Sequence, residues 1–221
     1  MHILGVIPAR SGSKSIPNKN IKLMNGKPLI AYTIESAQAS SLQRFIVSTD
    51  SDEIADVARS CGAEVILRSP NLSLDSTPTL PVIQDVVKKI GGDFEAVMTL
   101  QPTSPLRNHV HIDQSIGLFE SDLEADSLVS VVEVPHNFVP SKIMSFDGRF
   151  LSGNLKIVRR QDIKRKYARN GAAIYITKID KLNYYLFGGK IIPYFMNKID
   201  SFDIDEIEDW EIVSRLIKCV E

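Results

Sequence analysis

The first 134 residues alternate between continuous apolar runs and segments whose apolar positions recur at helical spacing. A continuous apolar run is typical of a strand that is buried on both faces of a sheet. The runs predict strands at 3–9, 44–50, 63–68, 94–102 and 126–134. The segments between them predict helices at 28–40, 51–62, 78–92 and 111–121.

Local signals support these helix boundaries. Pro28 suits a first helical turn, where the missing backbone N–H costs nothing. Ser51 with Asp52 and Glu53 suits a helix N-terminus, because a hydroxyl caps free N–H groups and acidic groups favour that end. Gly62 suits a helix end, since glycine readily adopts the left-handed conformation found there.

The β-α-β-α alternation predicts an α/β fold: a mostly parallel, Rossmann-like sheet in three layers, with helices on both faces. The pattern breaks after residue 134. Residues 135–171 are rich in proline, glycine and basic residues, which indicates short strands or loops that project from the sheet. Late strands are predicted at 172–177 and 191–196, and an amphipathic helix at 204–220. We expect one domain over residues 1–221, with 135–171 as an insertion within it.

Composition excludes several classes of protein. A hydrophobic content of 43% and a charged content of 24% are ordinary for a globular chain. The net charge of −1 provides no general attraction for nucleic acid or membranes. No apolar run approaches the length of a membrane span. Cys61 and Cys219 lack metal or redox spacing, and no secretory signal is visible, so we expect the cytoplasm.

Ligands of open α/β sheets bind beyond the carboxyl ends of the strands. Polar residues follow the first four predicted strands at these ends, and we expect them to converge on one rim of the sheet. They are Arg10–Lys14, Asp50, Arg68 and Gln101–Arg107, the last reading QPTSPLR.

The first loop, IPARSGSKSIPNKN at 7–20, matches neither the P-loop pattern nor the dinucleotide-binding glycine pattern. It still suits phosphates, because backbone N–H groups and hydroxyls donate hydrogen bonds while Arg10 and Lys19 supply positive charge. The alternative is a solvated connection with capping serines.

Two further stretches carry candidate chemistry. In FDIDEIED, at 202–209, an extended backbone would turn Asp203 and Asp205 to the same side, ready to share one Mg²⁺ with phosphate oxygens. Alternatively, these acids only favour the start of the last helix. The basic run RRQDIKRKYAR, at 159–169, suits a carboxylate or phosphate, or else forms a basic surface or a dimer contact.

Five stretches occur in order along nearly the whole chain. They are IPARSGSKSIPNKNIKLMNGKPLIAYTI, VSTDSDEIADVARSCGAEVILRSPNLSLDST, LQPTSPLR, RRQD…Y…NGAAIY and SFDIDEIED. Taken together, these stretches resemble one family, the acylneuraminate cytidylyltransferases or CMP-sialic acid synthetases.

The resemblance implies the nucleotide-diphospho-sugar transferase type of fold and a cytidylyl transfer. The anomeric hydroxyl of a nonulosonic acid attacks the α-phosphorus of CTP, pyrophosphate leaves, and a CMP-activated sugar remains. The resemblance also implies Mg²⁺ or Mn²⁺ and a homodimer, in which residues 135–171 would pack against the partner or cap the substrate.

The resemblance assigns roles to individual residues. For the nucleotide it implies Arg10, Ser13, Lys19, Asn20, Arg68 and Thr79. For the sugar acid it implies Gln101, Lys142, Arg160 and Arg169, and for the metal Asp203 and Asp205. The catalytic set would be Arg10, Lys19, Asp203 and Asp205, with the two cations balancing charge on the departing pyrophosphate.

Other functions stay open at this point. One is another enzyme on the same fold, a 3-deoxy-manno-octulosonate cytidylyltransferase or a sugar-1-phosphate nucleotidyltransferase, although RRQD…NGAAIY favours a nonulosonic acid. Another is a catalytically dead nucleotide-binding or scaffold protein, which the intact Asp203, Asp205, Arg10 and Lys19 oppose. The segment PHNFVPSKIM, at 135–144, departs from the pattern associated with neuraminate, so the acceptor is neuraminic, legionaminic, pseudaminic or another nonulosonic acid.

Overall fold

The computed structural model describes residues 1–153, 161, 164–171 and 173–218. The helices are α1 (Leu29–Gln38), α2 (Asp52–Ser60), α3 (Thr79–Ile90), α4 (His109–Ser121) and α5 (Ile207–Lys218). The strands are β1 (Ile3–Pro8), β2 (Leu23–Met24), β3 (Lys27–Pro28), β4 (Arg44–Thr49), β5 (Glu64–Leu67), β6 (Ala96–Thr99), β7 (Ser127–Glu133), β8 (Met144–Phe146), β9 (Leu151–Gly153), β10 (Tyr167–Arg169), β11 (Tyr175–Lys178) and β12 (Ile191–Phe195).

One large sheet carries the strands predicted from the apolar runs, in the order β10-β7-β11-β6-β1-β4-β5, with β12 also paired to β7. The pairs β1–β4, β1–β6, β4–β5 and β7–β12 are parallel. In contrast, β11 runs antiparallel to β6 and β7, and β10 antiparallel to β7. The predicted mostly parallel sheet is therefore confirmed, with an antiparallel insertion that the apolar pattern did not indicate.

Helices cover both faces of this sheet, as β1 illustrates. Ile3 and Ile7 pack in one buried cluster with residues of α1, α2 and α4, whereas Leu4 and Val6 pack with α3 in another. Successive strand residues point to opposite faces, so both faces of β1 are buried. This two-sided burial explains why residues 3–9 form a continuous apolar run.

A smaller core joins the two ends of the chain. Ile16 of the first loop, Leu29 of α1 and Ile204 are fully buried together with Trp210 and Val213 of α5. Burying such side chains stabilises the contact by about 1.5–3 kcal/mol each. This core therefore holds the 202–205 segment against the first loop.

The sheet is interrupted between β10 and β11. Val131 of β7 pairs with Phe195 of β12 on one side and with Arg169 of β10 on the other. On this second side, β11 pairs with the residues of β7 that precede Val131. At the break, the Ser130 hydroxyl donates to Asn170 Oδ1 at 2.7 Å, and Asn170 Nδ2 donates to Ser201 Oγ at 3.1 Å. The break is thereby tied to the 201–205 segment.

Most predicted helix boundaries are confirmed to within two residues. Ser51 Oγ accepts a hydrogen bond from the Ile54 N–H at 3.3 Å and caps α2. Pro28 lies just before α1, with ψ at 139°, rather than in its first turn. The last helix begins at Ile207, three residues later than predicted, because the Asp209 carboxylate accepts the N–H groups of residues 205 and 206, and 202–205 belongs to no helix or strand.

Among the described residues of the 135–171 segment, β8 and β9 pair only with each other, whereas β10 joins the large sheet beside β7. Within the described residues, no helix combines the length and the apolar character that crossing a bilayer requires.

Candidate active site

A cleft of about 320 Å³, the first cleft, opens beyond the carboxyl ends of β1, β5 and β6. Its walls come from the first loop, from the segment after β5, from the QPTSPLR segment and from Asp205. The structure therefore brings together most of the residues that the sequence indicated for the nucleotide and the metal. These are Arg10, Ser13, Lys19, Asn20, Arg68, Thr79 and Asp205, and Gln101 of the predicted sugar-acid set lines the same cleft.

Lys19 connects this cleft to the acidic segment, residues 202–209, near the end of the chain. Its Nζ donates a hydrogen bond to the Ile204 carbonyl at 2.7 Å. Burial lowers the pKa of Lys19, and the negative charges of Asp205 and Asp203 oppose that shift. The ammonium group therefore lies beside the carboxylates that flank Ile204.

Asp50 organises the opposite end of the first loop. Its carboxylate accepts hydrogen bonds from the Ser11 N–H at 3.0 Å and the Ser11 hydroxyl at 2.7 Å. Arg68 lies 3.6 Å away, and burial lowers the pKa of that guanidinium while Asp50 opposes the shift. Asp50 was expected at the rim, but the sequence did not indicate that it would hold the first loop through hydrogen bonds from Ser11.

The QPTSPLR segment holds the acidic segment in place. The Ile204 N–H donates to the Thr103 carbonyl at 2.9 Å, and the Ser104 hydroxyl donates to Asp203 Oδ1 at 3.2 Å. These bonds connect the loop after β6 with two consecutive residues of the acidic segment, Asp203 and Ile204. The position of the carboxylates is thus set by a loop about one hundred residues earlier.

Arg107 was expected at the polar rim with the rest of the QPTSPLR segment, and that expectation is wrong, because its side chain is buried in the interior and lines neither cleft. Its side chain is fully buried, and Nη2 donates to Thr33 Oγ1 at 2.7 Å and to the Gln101 carbonyl at 3.3 Å. Among the described residues no carboxylate forms an ion pair with it, and Nε and Nη1 have no hydrogen-bond partner. Burial lowers the pKa of Arg107 to about 9.

Asp203 and Asp205 differ in their surroundings. Asp203 is half-buried, and Asp205 is exposed and lines the first cleft. Burial raises the pKa of Asp203, the charge of Asp205 raises it further, and the hydroxyls of Thr103 and Ser104 oppose the shift. A cation beside two such carboxylates would offset the cost of placing like charges close together.

Gly171 makes room for Asp203. Its φ is +65°, and a Cβ built on it would lie 2.4 Å from Asp203 Oδ2. The NG pair at 170–171, a turn signal in the sequence, thus also serves a close approach that only glycine allows.

The second cleft, also of about 320 Å³, adjoins the first through Thr79 and Gln101, which line both. The remaining lining residues are Arg169, Gly171, Tyr175, Leu186 and Phe187. The Arg169 guanidinium lies over the Phe187 ring, 4.6 Å from its centroid, and contacts the Tyr175 hydroxyl at 3.5 Å. Stacking on an aromatic face holds the guanidinium in one orientation.

The predicted sugar-acid residues are therefore only partly assembled. Gln101 and Arg169 line the second cleft, whereas Lys142 lies in the turn Pro140–Lys142 of the insertion and lines neither cleft. Arg160 falls outside the described residues. Tyr175 and Phe187 were missed, because an aromatic residue in or near a strand reads as core until its neighbours are known.

The chain is similar to known proteins over nearly its whole length. The family model described as "Cytidylyltransferase" matches residues 4–219. A CMP-N,N'-diacetyllegionaminic acid synthase of Legionella pneumophila is 38% identical, over 99% of this chain and 97% of that protein. An N-acylneuraminate cytidylyltransferase of Escherichia coli is 35% identical over 95% of this chain but 51% of its own length, so this chain spans about half of that relative.

Among solved structures, a CMP:2-keto-3-deoxy-manno-octonic acid synthetase complexed with CTP superimposes with a TM-score of 0.79 over the full length of both chains. At 17% sequence identity this likeness shows the fold alone. It confirms the predicted nucleotidyltransferase type of three-layer sheet. The family model and the relatives together establish that the chain belongs to the cytidylyltransferase family, in the branch that includes the acylneuraminate enzymes.

Proposed function

We propose that this protein transfers CMP from CTP to the anomeric hydroxyl of a nonulosonic acid, with release of pyrophosphate. The observation that carries the proposal is the junction of the two clefts. The first cleft carries cations suited to a triphosphate, and the second cleft carries the oriented Arg169 guanidinium. The two clefts meet at Thr79 and Gln101, and Asp205 lies at the edge of the first cleft.

The first cleft would bind the nucleotide. Arg10 and Lys19 place two cations along it, and Asn20 closes the loop by donating to the Arg10 carbonyl at 2.9 Å. Transfer of a phosphoryl or nucleotidyl group depends on positioning and charge neutralisation more than on a covalent nucleophile. Arg10 and Lys19 would balance the charge that develops on the departing pyrophosphate.

The second cleft would bind the sugar acid. Arg169 presents a planar pair of donors, which matches the two oxygens of a carboxylate. Phe187 and Tyr175 hold that group in place. Gln101 adds an amide at the junction, where the acceptor hydroxyl would approach the α-phosphorus.

Asp203 and Asp205 would hold Mg²⁺ or Mn²⁺. Carboxylate oxygens are the donors these hard cations prefer, and Mg²⁺ is commonly bound by one or two carboxylates together with substrate phosphates and water. In the part of the chain that the structure describes, no group of three or more His, Cys, Asp or Glu side chains could hold a metal alone. When bound, the ion would neutralise phosphate charge and lower the pKa of the attacking hydroxyl.

A pyrophosphate-release assay with CTP, Mg²⁺ and a panel of acceptors tests the proposal. The panel contains neuraminic, legionaminic and pseudaminic acids, 3-deoxy-manno-octulosonate and a sugar 1-phosphate. We expect turnover with at least one nonulosonic acid. Turnover with only 3-deoxy-manno-octulosonate or the sugar phosphate would assign the protein to the alternative enzyme class. No pyrophosphate release with any acceptor would favour a non-catalytic nucleotide-binding protein.

The metal proposal has its own test. Asp203→Asn should lower turnover and weaken its dependence on Mg²⁺ concentration, while the far-ultraviolet circular dichroism stays that of the wild type. Asp93→Asn is the matched control, because Asp93 is an exposed acid in the loop before β6 and lines neither cleft. Equal Mg²⁺ dependence in wild type and Asp203→Asn would remove Asp203 from the metal site.

We further propose a cytoplasmic homodimer. The insertion exposes apolar side chains that a second copy would cover, among them Phe138, Phe146, Phe150 and Leu151, each more than 60% exposed. A two-stranded hairpin such as β8–β9 is marginally stable alone. Light scattering coupled to size exclusion tests the dimer, and a monomeric wild type at micromolar concentration would contradict it.

A further inference from the structure

The segment 69–78, between β5 and α3, forms one wall of the first cleft. Leu72, Leu74, Asp75 and Thr77 all line that cleft. The segment is held in shape by two bonds: Arg68 Nε donates to Ser73 Oγ at 3.1 Å, and Thr77 Oγ1 donates to the Asn71 carbonyl at 3.1 Å. Asp75 therefore faces the cleft from a segment that is hydrogen-bonded to Arg68, another residue that lines the cleft.

The Asp75 carboxylate pairs with two cations of the first loop. One oxygen bonds to Arg10 Nη1, and the other lies 2.6 Å from Lys14 Nζ. Hydrogen bonds to Lys14 and Arg10 lower the pKa of Asp75, so this carboxylate is ionised at neutral pH. The pairs are partly exposed, with 38% of the Arg10 side chain and 43% of the Asp75 side chain accessible.

A carboxylate on these two cations takes the place that a phosphate group would take. Carboxylate and phosphate oxygens both accept charge-assisted hydrogen bonds from guanidinium and ammonium groups. The single negative charge of Asp75 offsets one of the two positive charges of Arg10 and Lys14, and a phosphate chain must displace this carboxylate before it can use both donors fully.

We propose that Asp75 is the internal counter-ion of the phosphate subsite and limits how tightly the cleft holds both CTP and pyrophosphate. The inference rests on the proposed function and adds an affinity-determining residue to it. Because product release limits turnover in many enzymes, a competing carboxylate also favours the departure of pyrophosphate.

Binding of CTP and of pyrophosphate to Asp75→Asn, measured by titration calorimetry without divalent metal, tests this inference. The neutral amide keeps the size of the side chain but pairs weakly with Arg10 and Lys14. We expect the dissociation constants of both ligands to fall threefold to tenfold. The affinity of the variant should also decline more steeply with salt, since one more free cation takes part in binding.

Asp56→Asn is the matched control. Asp56 pairs with Arg59 on the surface of α2 at 3.0 Å, and the substitution makes the same change in net charge away from both clefts. The control should leave both dissociation constants unchanged. An equal gain in the control would show that net charge alone explains the effect, and would overturn the inference.

The outcomes separate this inference from the proposed function. Wild-type protein that binds CTP, together with an Asp75→Asn variant that binds no more tightly, overturns the counter-ion role and leaves the proposed reaction standing. Wild-type protein that binds neither CTP nor pyrophosphate overturns both.

Discussion

Lys19 Nζ lies 2.7 Å from the carbonyl oxygen of Ile204, although 185 residues separate the two along the chain. The bond places the cation of the first loop beside the paired carboxylates of the acidic segment. A triphosphate with a divalent cation needs both kinds of charge within reach. The cationic loop and the acidic pair therefore form one site within a single chain.

Replacing Lys19 with methionine should remove this charge while keeping the length of the side chain. We expect kcat to fall by about 10²–10³, the loss typical of removing one donor that stabilises transition-state charge. Pyrophosphate release at saturating CTP measures it.

Lys22→Met is the control for Lys19→Met. Lys22 lies over the Trp210 ring at 5.4 Å and lines neither cleft. A Lys19→Met variant that retains the kcat of the Lys22→Met variant would exclude Lys19 from charge stabilisation.

Gly171→Ala should damage the carboxylate site without unfolding the protein. The added Cβ would lie 2.4 Å from Asp203 Oδ2, so either the carboxylate or the backbone must move. We expect the Mg²⁺ concentration for half-maximal turnover to rise at least tenfold, as measured by pyrophosphate release.

Gly91→Ala separates the collision from backbone strain. Gly91 also has a positive φ, +59°, but a Cβ there meets nothing within 4 Å. Both variants should lose unfolding free energy from backbone strain, about 1–3 kcal/mol for Gly91→Ala, because its φ of 59° and ψ of −153° are essentially restricted to glycine. If both lose the same affinity for Mg²⁺, the contact with Asp203 is unimportant.

Arg107→Met should impair acceptor use more than stability. Burying an unpaired charge costs several kcal/mol, and removing this cost offsets the loss of the charge-assisted bonds to Thr33 and the Gln101 carbonyl, which contribute about 1.5–3 kcal/mol each. We therefore expect an unfolding free energy close to or above that of the wild type, measured in urea. With Gln101 less firmly held, the acceptor KM should rise about tenfold while the KM for CTP changes little.

Arg107→Lys is the informative comparison. It keeps a buried charge but loses the planar fork, so it should be less stable than Arg107→Met. A methionine variant that loses more than about 3 kcal/mol, or whose two KM values rise equally, would contradict this account.

His111 should make the fold sensitive to mild acid. Its Nδ1 accepts the Asn108 N–H at 3.1 Å at the start of α4, and its Nε2 lies 3.3 Å from Asp200. Burial lowers the pKa of His111 below its ordinary value of 6.5, Asp200 opposes the shift, and Arg107 and His109 reinforce it. Because the folded state resists protonation, the stability it contributes is complete above pH 6.5 and is lost as pH falls through the lowered pKa.

Unfolding free energies between pH 7 and pH 5 test this expectation. His111→Gln should flatten the decline by at most about 1.4 kcal/mol per pH unit, the limit for one proton. His2→Gln, at an exposed histidine outside α4, should keep the wild-type slope. An unchanged slope in His111→Gln would assign the acid sensitivity to other groups.

The layered α/β fold, most element boundaries and the polar rim could be predicted from the sequence. These features depend on short-range patterns. The apolar run 3–9 is buried on both faces because helices cover both sides of β1, and Ser51 caps the next helix through a bond three residues away. Arg10, Arg68 and Gln101 share a rim because parallel strands end at the same edge.

How these residues work together depends on contacts that form only in the folded protein. The antiparallel direction of β11, the bond from Lys19 to Ile204, the stacking of Arg169 on Phe187 and the burial of Arg107 all join distant parts of the chain. Such contacts depend on packing across the whole molecule, as in the small core where Ile16 meets Ile204 and Trp210. Local periodicity carries no information about which distant side chains that packing will bring together.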